Sequence, residues 1–437
     1  MSRVALVNPV KIDALSEYSG HLGLSYVSSF LKAQDHKAKV FDINMSAADA
    51  ESIHQFNPEY IGITVIRGYE KETAELIKQL RKKASWRRII IGGPEPTIHP
   101  EECLKATGAD FAVRGGAIPA IAHILNDRYD NKGVCYQDGN EFIDNGIAEY
   151  MVNDWRIDPS TLPDTPSGTY CTIASAESPT NGNNTLVRDI GEVVEDMEEI
   201  DSEKEAELFF MWDRDFLVYP KRVDGLDHAM REIGLPQKVA FKTKPSSVLE
   251  AAESIRSTVH RIKEVHLGNA ALVDEQIKRM GEDYKASSTH DAVEFLRLTG
   301  IMPVLHLYLG DRETGMDELR KISDVFSKHP EYLLLVGSAS LKDEGEFEYP
   351  AFMQAYLAPW DYISRFNQRP FAAKSRRAFM KLENPSKKKK FLVETWFDDF
   401  HKKLQQIVIG DIGAEKGIME AKGMGMTLTM KLQSLYS

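Results

Sequence analysis

Cysteine is scarce in this chain: three occur in 437 residues, Cys103, Cys135 and Cys171, far apart in sequence. That spacing excludes a disulfide framework and fits a reducing compartment. Long apolar runs are missing as well. No stretch approaches the roughly 20 apolar residues of a membrane span, and the opening MSRVALVNPV enters a strand without the apolar core of a signal peptide. The expected location is the cytoplasm, with no membrane partner. Positive charge is in deficit, 54 Lys and Arg against 66 Asp and Glu, for a formal charge of −12. Nucleic-acid binders display the opposite footprint, so no nucleic acid is expected and a small molecule is the expected partner. Nucleotide loops are absent too: no G-x-G-x-x-G follows the first apolar run, and there is no Walker lysine loop.

What is present is enough apolar material, 42% with 9% aromatic, for two cores. Short apolar runs at 4–7, 39–43, 60–66, 88–91 and 110–113 alternate with amphipathic stretches such as 23–32 and 70–81. This is the pattern of βα units around a parallel sheet. In such a sheet ligands sit beyond the carboxyl ends of the strands. The loops expected there are Asn8-Pro9, Arg67-Gly68, Gly92 to Thr97 and Arg114-Gly115-Gly116. Paired glycines either let backbone approach a bulky ligand or simply turn strand into helix.

These loops, in the order VNP, GHLGLSYVSSFLKAQDHKAKVFDIN, PEYIGITVI, RIIIGGPEPTIHPEECL and ADFAVRGG, resemble the cobalamin-binding domain of cobalamin-dependent radical SAM enzymes. The resemblance spans nearly all of residues 1–125, with Gly116 where the family usually has an acid. It implies a cofactor site built from Asn8, Pro9, His21, Leu22, Gly23, Thr64, Val65, Arg67, Gly92, Gly93, Pro94, Glu95, Thr97, Arg114, Gly115 and Gly116. The D-x-H-x-x-G motif with a cobalt-binding histidine is absent. The implied cobalamin is therefore base-off, with Arg67 either beneath the metal or a solvated residue opening the next helix. His21 and His99 are either axial ligands or hydrogen-bonding groups.

Prolines 159, 163 and 166 mark an expected linker over 146–168. Beyond it, strand candidates recur at 169–174, 208–212, 239–243, 265–268, 304–309 and 332–336, separated by helical stretches such as 191–200, 222–233 and 288–298. The order resembles a radical SAM barrel. The fold class expected is therefore α/β: an N-terminal doubly wound, Rossmann-like parallel sheet over 1–145, a partial (β/α)6 TIM-type barrel over 169–345, and a helical C-terminal extension over 346–437. The family's iron–sulfur cluster is held by three cysteines in C-x3-C-x2-C, and here those positions read Cys171, Ser175 and Ser178. A neutral hydroxyl is a poor donor to iron sulfide, so no cluster is expected. S-adenosylmethionine stays open as a ligand, although Asn269, Ala270 and Ala271 stand after Gly268 where the family usually has a Glu. Candidate catalytic groups are Asp213, Arg214 and Asp215, and Asp311 with Arg312; each is equally readable as a solvated loop charge.

In the extension, Phe391, Val393, Trp396, Phe397 and Phe400 form a stripe expected to pack on the barrel. Basic clusters at 374–377 and 387–390 read as solvated surface, and Gly423 to Thr427 as flexible or folded over the cavity. Three functions remain open: a cobalamin-dependent enzyme without a cluster, transferring a methyl group or rearranging a small intermediate; a non-catalytic cobalamin-binding partner or sensor; and a radical SAM methyltransferase with unusual cluster ligands.

Overall fold

Strands buried on both faces need apolar side chains at every position, and the first runs supply them. The computed structural model describes residues 1–11, 20–45, 48–66, 68–162, 170–173, 176–177, 186–311, 313–341, 350–368, 387–408 and 411–436. Its strands are β1 (Arg3–Asn8), β2 (Lys37–Asp42), β3 (Tyr60–Thr64), β4 (Arg88–Gly92), β5 (Phe111–Val113), β6 (Val134–Asp138) and β7 (Glu141–Asp144), in the order β2-β1-β3-β4-β5-β6-β7. The first five pair in parallel, and the β6–β7 hairpin, which no long apolar run announces, adds an antiparallel edge. Alternate residues enter opposite cores: Ala5, Val7, Ile89 and Ile91 enter one, Val4, Leu6 and Ile90 the other. Each fully buried Ile, Leu or Val of this kind contributes about 1.5–3 kcal/mol.

The chain divides into two compact units, Met1–Asp213 with His228–Gln237, and Arg214–Asp227 with Lys238–Ser437. The first also holds β8 (Tyr170–Ile173), β9 (Ala176–Glu177), β10 (Leu186–Val187) and β11 (Leu208–Met211), with β8 and β11 parallel and β9 and β10 antiparallel. The described part of the expected linker is pinned down within this unit. Trp155 stacks on Tyr26 at 5.0 Å. The Asp158 carboxylate accepts from Ser28 and Lys32, each at 2.6 Å. Arg188 and Asp196, both fully buried, pair at 2.7 Å, and Arg188 also donates to the Trp155 carbonyl at 2.8 Å.

The second unit holds β12 (Lys238–Thr243), β13 (Ile262–Ala270), β14 (Met302–Gly310) and β15 (Val336–Leu341), each parallel to the next. The strand expected at 332–336 is instead a 3-10 turn, Pro330–Leu334, with β15 following it. Proline's fixed φ suits the first turn of a helix, and Tyr332, Leu333 and Leu334 are fully buried there, so their apolarity marked burial and not extension.

Among the described residues, three helices lie in the C-terminal stretch, Pro350–Gln368, Lys387–Val408 and Ala414–Tyr436. Val393, Trp396, Phe397 and Phe400 are buried as expected, whereas Phe391 is 69% exposed. The glycines expected to be flexible lie inside the last helix. A Cβ on Gly425 would stand 2.5 Å from Pro359 Cα, so glycine permits the close approach of two helices. Trp396 Nε1 donates to the Met424 carbonyl at 2.9 Å beside it. Gly425→Leu should therefore destabilise the protein by roughly 1–3 kcal/mol, the usual cost of overpacking, read as a lower urea midpoint. Gly423→Leu, with nothing within 4 Å of its added Cβ, is the neutral control.

Candidate functional site

The chain leaves β1 for β2 on one side and returns to β3 on the other. Between the carboxyl ends of β1 and β3 the helical connections diverge, which opens the crevice where doubly wound sheets bind ligands. Asn8 ends β1 and is buried; its Nδ2 donates to Asp42 Oδ2 at 3.2 Å, and its Oδ1 accepts from Val10 N at 3.2 Å. Asn44 closes this brace, donating to the Val10 carbonyl and to Asp42 Oδ1, each at 2.9 Å. Asp42 was not singled out from sequence; an acid directly ending an apolar strand is the signal that marks it.

His21 spans the crevice. It caps the helix Leu22–Ala33, its Nδ1 accepting from Leu24 N at 3.2 Å, and its Nε2 lies 3.2 Å from Thr64 Oγ1 at the end of β3. A nitrogen that accepts a backbone N–H carries no proton, so the ring proton is on Nε2 and is donated to Thr64. Burial lowers the His21 pKa against the opposing pull of Asp42. Both ring nitrogens are thus hydrogen-bonded, the second of the two roles left open for this residue. His99 is exposed, and Arg67 lies outside the described residues.

The loop after β4 begins at Gly93 with φ +112°, a conformation side chains rarely adopt, where a Cβ would meet the Val65 carbonyl at 2.9 Å and Thr64 Oγ1 at 3.0 Å. Gly93 and Pro94 are exposed, Val65 and Thr97 buried, Pro9, Leu22 and Glu95 half-buried, and Gly23 is exposed. Thr97 Oγ1 donates to the Gly93 carbonyl at 2.8 Å and accepts from Gly115 N at 3.3 Å, while Arg114 Nε donates to the Thr97 carbonyl at 3.0 Å. Gly115 and Gly116 serve the chain itself: a Cβ would come 2.5 Å from the Ala148 carbonyl or 2.1 Å from that of Glu149. Their lack of side chains therefore accommodates the segment 147–150. Beyond Gly92, at the same edge, Ile98 is 54% exposed, and Ile43 and Met45 after β2 are 43% and 38% exposed. Exposed aliphatic side chains and buried polar braces fit a large, partly apolar ligand.

The charged groups expected at the second cavity are mostly tied down. Asp213 is buried in the first unit, with 1% exposure. Within the second unit Arg214 stands 3.9 Å from Glu282, and Lys244 2.6 Å from the same carboxylate. Asp215 accepts from Thr243 Oγ1 at 2.5 Å and Ser247 Oγ at 2.8 Å. Asp311 accepts from Arg279 at 2.8 Å and Tyr308 at 2.7 Å; burial opposes its charge, but these donors hold its carboxyl below the usual range. Arg312, Ser175 and Ser178 lie outside the described residues, and Cys171 lies on β8. Among the described residues no group of three or more His, Cys, Asp or Glu side chains is placed to hold a metal ion, and no helix is long and apolar enough to cross a membrane.

Residues 13–125 match the family of the B12 binding domain. No curated protein sequence matches the chain. Among solved structures, the chain is similar to the radical S-adenosylmethionine methyltransferase TsrM from Kitasatospora setae, solved with tryptophan substrate and the SAM analogue aza-SAM bound (16% identity over 78% of this chain and 73% of that one, TM-score 0.64). TsrM has also been solved with cobalamin and a 4Fe–4S cluster bound. The cobalamin-dependent S-adenosylmethionine radical enzyme OxsB with aqua-cobalamin bound is similar over 99% of this chain and 80% of its own (13% identity, TM-score 0.64). At these identities the likeness is one of fold.

The depressed His21 pKa has a definite sign. The unfolded state takes up the proton near the ordinary value of about 6.5 and the folded state resists it, so this contribution to stability is present above that pH and is lost below it. His21→Asn, which keeps a side-chain cap for the helix, should remove that loss: on lowering the pH from 7.5 to 5.5, the wild type should lose unfolding free energy relative to the variant. Thr64→Val should cost about 1–3 kcal/mol at neutral pH by leaving the Nε2 proton without an acceptor, measured by urea denaturation.

Proposed function

We propose that the chain binds cobalamin, base-off, at the carboxyl edge of the first sheet and is a radical-SAM-like enzyme without an iron–sulfur cluster. Its substrate is a small biosynthetic intermediate, and its reaction a non-radical methyl transfer or a cobalt-centred rearrangement or cyclisation, with S-adenosylmethionine as a candidate methyl source. The observation that carries this reading is that the B12-binding match over residues 13–125 takes in His21, Thr64 and the loop after β4 beside the crevice between β1 and β3. Cobalamin, when bound, supplies the difficult chemistry, and the protein supplies orientation and exclusion of water. Asn8, Asp42 and Asn44 hold the end of β1, the His21–Thr64 bond holds the opposite lip, and Gly93 lets the loop after β4 close against Thr64 and Val65. The absence of D-x-H-x-x-G and the engagement of both His21 nitrogens leave cobalt without a histidine ligand from either source.

Thiol chemistry bears on the reading without a cluster. Cys103 and Cys135 are buried in the first core, and burial, reinforced by nearby carboxylates, pushes both thiols up to about 12, so neither offers a thiolate at neutral pH. Cys171 remains, with serines at the two other ligand positions. The competing reading, a cluster-bearing radical enzyme, draws on the TsrM structure that contains one.

Purified anaerobically from cells supplied with cobalamin, the protein should carry about one corrin per chain. After iron and sulfide reconstitution it should hold far fewer than the roughly four irons of an intact cluster. The double change Ser175→Cys and Ser178→Cys should raise the iron content and produce the charge-transfer absorption of a cluster. A wild type with about four irons that cleaves S-adenosylmethionine on reduction would overturn the proposal, as would a preparation without corrin.

A further inference from the structure

The second unit carries a row of polar side chains that the cofactor reading leaves unused. Along β13 and β14 successive side chains alternate between faces. Val265, Leu267, Leu305 and Leu307 are fully buried on one, while Glu264, His266 and His306 lie on the other and are only partly covered. Lys242 on β12 pairs in register with His266, and His306 with Ser338 on β15, so the polar row crosses four neighbouring strands. His266 Nδ1 and His306 Nε2 are 2.8 Å apart with their rings stacked at 5.0 Å. His306 Nδ1 lies 2.7 Å from Ser338 Oγ, and His266 Nε2 lies 3.5 Å from Glu264 Oε2. A Cβ on Gly268 would stand 2.6 Å from Lys242 Cε, so the glycine lets the lysine stem lie across β13.

The distances order the protons. Two ring nitrogens at 2.8 Å share one hydrogen. A carboxylate facing His266 Nε2 favours the proton on that nitrogen, which leaves Nδ1 to accept from His306 Nε2–H. His306 Nδ1 is then an acceptor, and the Ser338 hydroxyl donates to it. Burial, with His266 and Lys242 close by, holds His306 well below the usual imidazole range, so that ring stays neutral.

We propose that Ser338, His306, His266 and Glu264 form an acid–base relay for a small substrate that presents an oxyanionic group to Lys242 and a transferable proton to Ser338. The substrate's X–H bond breaks with its electron pair kept on X. That proton passes to Ser338 Oγ as the serine proton moves to His306 Nδ1, the His306 Nε2 proton to His266 Nδ1, and the His266 Nε2 proton to Glu264. The net result is a deprotonated substrate and a neutral Glu264, with both imidazoles uncharged and no redox partner required. Ser338 is the group that touches substrate; His306, His266 and Glu264 are positioning residues. The proposal rests on the second unit alone and is independent of cobalamin.

Long-range proton–nitrogen NMR of the full chain, labelled with 15N-histidine at pH 7, reads the tautomers directly. Both His266 and His306 should be neutral with the proton on Nε2. Titration with sodium acetate or inorganic phosphate should shift the His306 signals of the wild type, the more effective of the two marking the oxyanion as carboxylate or phosphate. Lys242→Met should abolish that response and Lys242→Arg retain it. Ser338→Ala should shift His306 Nδ1 while leaving the His266 tautomer in place, and Ser338→Thr should restore the wild-type signal. A His306 protonated on Nδ1, a charged imidazole at either position, or a wild type blind to both anions would overturn the proposal. Corrin content is read separately, so its loss would not bear on this result.

Discussion

Parallel strand pairing between two covered faces is the constraint on which the rest of the first unit depends. A strand flanked by helices on both sides loses water from both faces, and its backbone groups are satisfied by hydrogen bonds to the neighbouring strands. All carboxyl ends then fall at one edge, and the order β2-β1-β3 forces the helical connections apart beside β1. A ligand crevice follows from topology before any particular side chain is chosen. The side chains refine it: Asn8, Asp42, Asn44, His21 and Thr64 gather there because each follows or ends a strand at that edge.

Polar groups inside such a structure persist only when paired, since an unpaired buried donor or acceptor costs about 1–3 kcal/mol. His21 meets this by splitting its nitrogens between a helix cap and Thr64. Arg188 and Asp196 meet it by facing each other in a dry interior, where burial pushes the aspartate upward and the guanidinium pulls it back. Removing one member of such a pair costs far more than the pair contributes, about 3–5 kcal/mol. These contacts hold the site through order at its edge, while Gly93 and Gly68, both at positive φ, mark where the backbone turns sharply around it.

Sequence periodicity located the five parallel strands of the first sheet to within a few residues, because runs such as the isoleucines at 89–91 have to serve two cores at once. It also located the helices and the resemblance to a cobalamin-binding domain, which the match over residues 13–125 supports. It placed a strand at 332–336 where a turn lies, since apolarity reports burial and not backbone angle. The β6–β7 hairpin escaped notice because its strands are half polar.

What the amino-acid sequence by itself determined is the order of the five parallel strands of the first sheet, the acidic balance, the scarcity of thiols and the loops at the carboxyl edge, all properties of local pattern and composition. What only the tertiary structure decided is which polar groups meet. Asn8 and Asp42 are 34 residues apart, His21 and Thr64 are 43, and His266 and His306 are 40; parallel pairing puts the first two in register, a helix start brings His21 to the end of β3, and the last two sit on adjacent strands. The same holds for Gly115, Gly116 and Gly425, whose missing side chains are explained by segments far along the chain that pack against them.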